Sequence, residues 1–458
     1  MQKNSPFFGP FSAATYRQRR HQLLKELSRQ TSSDFVAFFW SGSELIRNND
    51  NHYAFRAQSD FLYLTGFSEP DTMLILQSIN GRKFSRLALR PRDLSANRGS
   101  EVWEGERLGV ERAVKTLGVE EAFDIHQVSS EVEALLAKVP QIFWSFGEFP
   151  EWDLKFTRWI GKANTLSRGL PRIQAIGDAR IQLHEMRRVK TAEEIKVMRE
   201  SGRIASLGHI RAMKSLRPGR FEYEIASELE REFKKLGASD VAYGSIVAGG
   251  NNACTLHYKT NRERLKSGDL LLIDAGCEFE TYASDITRVY PIAGKFSPAQ
   301  AEVYNWVLKS QLAAIAACRP GAQFTAPHEA AVKVLAKGLI ALGVIKRKSV
   351  GDILKHKLWR RYMPHGTSHW LGMDVHDTGT YTEEKNPMKP VRLRAGNVLT
   401  IEPGIYFRKD DKSVPPKYRG IGIRIEDDVL VTTRGHEVLT APCPKKISDI
   451  EALCGPKM

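Results

Sequence analysis

A two-domain α/β fold is predicted by three observations. Strand-like and helical runs alternate through the first 180 residues, one helix-and-strand plan is then written twice, and 458 residues exceed what one core usually organises. The division is expected near Ile181, giving domains 1–180 and 181–458. In the first, DFVAFFW (34–40), FLYLTGF (61–67) and TMLILQ (72–77) predict strands, while residues 15–30 and 130–138 predict helices. In the second, Thr191-Ala-Glu-Glu194 fits a capping box that opens a helix through Ile195, Met198, Ala205 and Ala212, and Arg217-Pro-Gly219 ends it. A further helix carries Phe221, Ile225, Leu229, Phe233 and Leu236 on one face and stops at Gly237. The same order then recurs: Ser297-Pro298 starts a helix, Arg319-Pro-Gly321 ends it, and another runs to Gly343. This repetition predicts two pseudo-symmetric halves that enclose a site between curved sheets.

Composition narrows the function classes. Hydrophobic residues at 42% and charged residues at 26% belong to a globular chain, and no apolar run reaches the length of a membrane span, so no membrane partner is expected. The first residues make a poor secretory signal, because Gly9 and Pro10 break their apolar patch, and a cytoplasmic location is expected. Five cysteines, Cys254, Cys277, Cys318, Cys443 and Cys454, contain no C-x-x-C pair and argue against both a disulfide framework and a thiolate metal site. Cys277 follows Asp274 by only three residues, yet its simpler reading is a small buried hydrophobe. The net charge of +15 is spread along the chain with no nucleic-acid-binding motif, so solvated helix faces explain it and no nucleic-acid partner is expected.

The chemistry concentrates in four stretches. In LLLIDAGCEFETYASDITRVYP (270–291), Asp274 ends an apolar run and Asp285 sits in a second β-prone run, so two adjacent antiparallel strands would bring the carboxylates together. Two buried acids that close need a cation between them. Downstream lie HGTSHWLGMDVH (365–376), TIEPG (400–404) and GIGIRIEDD (420–428). The last alternates strictly, with Ile421, Ile423 and Ile425 on one strand face and Gly422, Arg424 and Glu426 on the other. Asp274, Asp285, His369, Glu402 and Glu426 supply four carboxylates and one imidazole, a set suited to manganese, cobalt or zinc.

These motifs, in this order, closely resemble the dinuclear metallopeptidases of the pita-bread fold, the creatinase and methionine aminopeptidase-like architecture, and within them the bacterial Xaa-Pro aminopeptidases. The likeness runs nearly end to end, through FRAQSDFLYLTGFSEP (55–70), VWEGERLG (102–109) and HEMRRVKTAEEI (184–195). It implies an N-terminal domain that supports a homo-oligomer, a dimer or tetramer, and a catalytic domain holding two divalent ions, manganese first and cobalt or zinc as alternatives. The implied reaction is hydrolysis of the bond between an N-terminal residue and a following proline, by attack of a hydroxide bridging the two ions. By resemblance Asp285 and Glu426 bridge, Asp274 completes one metal, His369 and Glu402 complete the other, and Glu402 also accepts the proton of the attacking water. His376 is implied to bond the scissile carbonyl, and His257 and His365 to line the proline side. Arg424 is expected either to orient a ligand carboxylate or to contact the peptide beyond proline, and Tyr406 either to approach the intermediate or to pack in the core. Trp103 and Arg168 match positions that reach a neighbouring active site, although taken alone they read as a packed tryptophan and a surface arginine. A prolidase confined to Xaa-Pro dipeptides is the same-fold alternative, and a non-catalytic binding module is the rival from another class.

Overall fold

The computed structural model describes residues 8–31, 33–93, 95, 99–166, 172–383 and 386–454. It divides into two compact units, 1–186 and 187–458, and the division, like Ile181, falls within the helix Arg180–Arg188.

The first unit is built on one six-stranded mixed sheet. Helix α1 (Ala13–Gln30) is capped by Ser12, whose side chain accepts from the Thr15 N–H. The buried strand β1 (Phe35–Trp40) follows. Residues 61–67 correct the expectation of a strand: they belong to helix α2 (Ser59–Thr65) and its exit, with all seven helical residues buried. An apolar run buried on every side has no period to separate strand from helix, so the ends decide. Here the Gln58 side chain accepts from the Phe61 N–H, and Gly66 closes the helix at φ 62. Strands β2 (Met73–Ile79), β3 (Arg82–Leu89) and β4 (Glu121–Asp124), helix α3 (Val128–Leu136), and strands β5 (Gln141–Phe143) and β6 (Ala175–Gly177) complete the frame. The sheet order is β4-β3-β2-β1-β5-β6, antiparallel from β3 to β1 and parallel at both flanks. Val36, Phe38 and Trp40 of β1 meet Phe156 and Trp152 in its core.

The second unit realises the doubled plan. Helix α4 (Ala192–Ser215) begins with the expected capping box at Thr191 and Glu194, and α5 (Glu222–Lys235) buries Ile225, Leu229 and Phe233. Strands β7 (Ile246–Gly249), β8 (Leu270–Asp274) and β9 (Thr287–Pro291) form an antiparallel sheet with β8 in the middle. The second half repeats helices and sheet. Helix α6 (Pro298–Ala317) opens with the Ser297–Gln300 capping box and α7 (Ala326–Ala341) follows. Strands β10 (Val398–Ile401) and β11 (Gly404–Phe407) come next, then β12 (Ile421–Arg424), β13 (Asp427–Val431) and β14 (His436–Val438). Strand β13 lies between β10 and β14, and β11 pairs with β12. One large core joins Leu271 and Ile273 of the first half to Ile405, Ile423 and Ile425 of the second. Among the described residues no helix is long and apolar enough to cross a membrane.

Candidate metal centre

Asp274 ends β8 opposite Thr287, as the apolar run before it predicts. Asp285 differs from expectation, because it stands two residues before β9, in the segment that returns from the short hairpin Cys277–Phe279 and Tyr282–Ala283. Gly276 makes this return possible: a Cβ there would lie 1.7 Å from the Ser284 carbonyl oxygen, so any side chain would push the segment away. Glu426 likewise leaves the predicted strand. Strand β12 stops at Arg424, and the Glu426 N–H donates to the Thr287 carbonyl at 3.0 Å instead of continuing the β11 ladder. That bond carries Glu426 from the second half onto β9 of the first. His369 is held beside β10 by its own N–H to Thr400 Oγ1, and Glu402 follows β10 directly, its N–H donating to the Thr367 carbonyl.

Asp285, His369 and Glu426 each offer a ligand atom, all within 4.8 Å of one another. His369 Nε2 is 3.5 Å from Asp285 Oδ2 and 3.8 Å from Glu402 Oε1. Its Nδ1 lies 2.9 Å from the Trp370 carbonyl, which can only accept, so Nδ1 carries the proton and the Nε2 lone pair faces the acids. Asp274 is engaged otherwise. Arg424 Nη2 donates to its Oδ2 at 2.5 Å, and the Tyr243 hydroxyl donates to both Asp274 and Asp285. Arg424 is a hub: Nη1 donates to Tyr406 Oη at 2.9 Å and Nε to Thr287 Oγ1, whose own hydroxyl donates to Glu426 at 2.6 Å. Arg424 thus bonds the Asp274 carboxylate directly.

Burial first, and then the charges of neighbouring acids, hold Asp285 and Glu426 well above the ordinary carboxylate range. The same causes push Glu402 up to about 8. Crowded carboxylates facing a freed imidazole lone pair are the donor set that a divalent cation relieves, so these residues fit a metal. A pH dependence follows. Metal-free protein holds the Glu402 proton more tightly folded than unfolded, so that contribution to stability is complete below the unfolded pKa and is lost as pH rises through about 8. We expect the Tm gap between metal-loaded and chelated protein to widen by several degrees from pH 5 to pH 8.5, measured by calorimetry. A constant gap would contradict the reading of these acids.

The remaining predicted residues divide. His365 Nε2 lies 2.8 Å from Tyr406 Oη and its Nδ1 is 3.7 Å from Glu402, while Tyr406 is buried. Burial, chiefly, and then the Arg424 charge lower the His365 pKa to about 4, so the ring is neutral. The His376 ring packs edge-on to His369 with centroids 4.3 Å apart. Lost solvation, and then the neighbouring His369 and His257 rings, lower its pKa. His257 is exposed, in the loop after the turn Gly250–Cys254. Cys277 is fully buried against Ser201 and Ser284, the simpler of its two readings. Trp103 is 89% exposed on the first unit, not the packed tryptophan that sequence alone suggested, and Arg168 lies outside the described residues. Tyr243, Thr287 and Asp428, which accepts the Asp285 N–H, were not anticipated. Thr287 and Asp428 lay within stretches already singled out, 270–291 and GIGIRIEDD, whereas Tyr243 did not.

Residues 196–433 match the model of metallopeptidase family M24, and residues 16–143 that of the aminopeptidase P N-terminal domain. The chain is 42% identical to an Xaa-Pro aminopeptidase of Haemophilus influenzae, over 96% of both chains. It is 40% identical to one of Escherichia coli, over 95% of this chain and 96% of that one. Among solved structures, proline aminopeptidase P II from Yersinia pestis superimposes with a TM-score of 0.90 at 41% identity, covering 97% of this chain and 99% of that one. A low-pH form of Escherichia coli aminopeptidase P gives 0.91 at 39%, covering 97% and 98%.

Proposed function

This chain belongs to metallopeptidase family M24, in its two-domain aminopeptidase P form with a pita-bread second domain, and from that premise we propose how it works as a metal-dependent Xaa-Pro aminopeptidase. It removes an N-terminal residue that precedes proline. The observation that carries the reading is the meeting of Asp285, His369 and Glu426, drawn from three separate stretches, with Glu402 and Asp274 beside them. Asp274, Asp285, His369, Glu402 and Glu426 would hold two divalent ions, manganese before cobalt or zinc, since the set has oxygen and imidazole donors and no thiolate. When bound, such ions activate water and stabilise negative charge on a reacting carbonyl oxygen.

The chain's own groups do the rest. Glu402, whose carboxyl is pushed up to about 8 by lost solvation and neighbouring acids, accepts the proton of the attacking water and passes it to the proline nitrogen as the C–N bond breaks. His376, neutral, donates its ring N–H to the oxygen of the carbonyl under attack. His365, its Nδ1 proton held by the Gly366 carbonyl and its Nε2 turned to Tyr406, walls the proline side with His257. Arg424 keeps Asp274 and Tyr406 in register. We propose further a homo-oligomer, which the exposed Trp103 of the first unit supports, and a cytoplasmic setting, which five free thiols suit.

The test is which bond is cut. Proline's nitrogen has no N–H, so a site that relies on donation from that nitrogen cannot read it, whereas a pocket shaped for the ring can. Release of one residue is expected from Xaa-Pro-Xaa peptides, at least as fast as from the matching Xaa-Pro dipeptide. Little is expected when alanine is second or the N-terminus is acetylated. Product analysis by mass spectrometry decides it, and cleavage confined to dipeptides would make the chain a prolidase.

A further inference from the structure

The motif HEMRRVK contributes no group to the centre described above, yet two of its cations are buried beside the loop that does. Arg187 and Lys190 have side chains only 2% and 1% exposed. Lys190 Nζ donates to Asp377 Oδ2 at 2.9 Å, and Arg187 Nη2 donates to Asp377 Oδ1 at 2.6 Å and to Asp374 Oδ2 at 2.7 Å. Asp374 and Asp377 bracket His376 in the sequence. The Asp377 N–H donates to the Trp370 carbonyl at 2.9 Å, the same oxygen that fixes the His369 tautomer through Nδ1. The loop also closes on itself and on the first half: the Gly372 N–H donates to the Asp374 carbonyl, and the Ala283 N–H to the Gly372 carbonyl. A Cβ at Gly372 would lie 2.1 Å from Asp377 Oδ2, so the carboxylate is packed directly on the loop backbone.

We propose that Arg187 and Lys190 are positioning residues for this reaction. Through Asp377 and Asp374 they clamp the loop 370–377, so that the His376 ring is held at its 4.3 Å edge-on contact with His369 before substrate arrives. Paired and bonded charges at this depth are costly to separate, and the clamp therefore has one stable geometry. The clamp rests on the proposed role of His376 as the donor to the reacting carbonyl.

A double-mutant cycle on the metal-loaded full chain tests it. His376→Ala alone is expected to lower kcat by about 100-fold or more, with bound metal near the wild-type amount. Lys190→Met leaves Arg187 to neutralise Asp377 and should lower kcat on the order of 10- to 100-fold, with KM and bound metal little changed. The double variant should then lose no more than His376→Ala alone, because the clamp acts only through the ring it positions. Losses that multiply in the double variant overturn the clamp, as does an unchanged kcat in Lys190→Met or a metal content that falls in step with its activity. An unchanged kcat in His376→Ala alone refutes the role of His376 and the clamp with it, and is distinguishable because it needs no second mutation. Arg187→Lys keeps the charge but loses the fork that reaches both carboxylates, and it enters the same cycle should Lys190→Met not fold.

Discussion

Chelator-treated protein is expected to lose all measurable peptidase activity and to regain it with a divalent ion, manganese most fully. The ground is the donor set: buried carboxylates held above their ordinary range by burial and by one another, facing the Nε2 of His369. Such a cluster is poorly satisfied by protons alone and binds cations through oxygen and imidazole. The assay is hydrolysis of an Xaa-Pro-Xaa peptide before and after chelation, with metal content measured on the same sample. Full turnover by protein shown to be free of metal would end the proposed mechanism.

Asp285→Ala should be nearly as damaging, on the order of 1,000-fold or more in kcat/KM, because electrostatic stabilisation at the reacting atoms usually contributes more to catalysis than any other single effect. Asp285 touches more of the centre than any other acid. Its carboxylate meets His369 and Tyr243, it belongs to the three-residue group with Glu426, and its backbone N–H is tied to Asp428. Cys277→Ala provides the control, since its thiol is fully buried against two serines and the substitution removes only a small packed group. Its activity should stay within about twofold, with a stability loss typical of a minor core truncation. Equal losses in the two variants, each shown folded by circular dichroism, would mean that the bridging acid is misassigned.

Much of this was legible in the chain. The helix starts at Thr191 and Ser297 were, because a capping box is a local device that needs no tertiary partner. Asp274 was, since an acid closing Leu270–Ile273 has no packing reason to be there. The helix at residues 59–65 was not, because full burial erases the period that distinguishes it from a strand. Nor was the break before Glu426, which is decided by Thr287, far away in the sequence. Tyr243 could not be found either: a lone tyrosine in AYGSIV carries no spacing signal, and only the fold brings its hydroxyl between Asp274 and Asp285. Local chemistry announced the acids and the histidine, and long-range geometry chose how they are held.

The bond from Glu426 to β9 bears on how the protein comes into being. Thr287 and Glu426 are 139 residues apart, and Arg288 reaches a similar distance to Asp427. A chain made from its N-terminus has the first half's acids in place long before the residues that complete the set exist. Loop-closure entropy must be met before any of these contacts rewards it, which makes non-local assembly slow. Without Glu426, His369 and Glu402 the first half holds Asp274 and Asp285 but not the rest of the set. The complete set of acids thereby depends on the two halves having met.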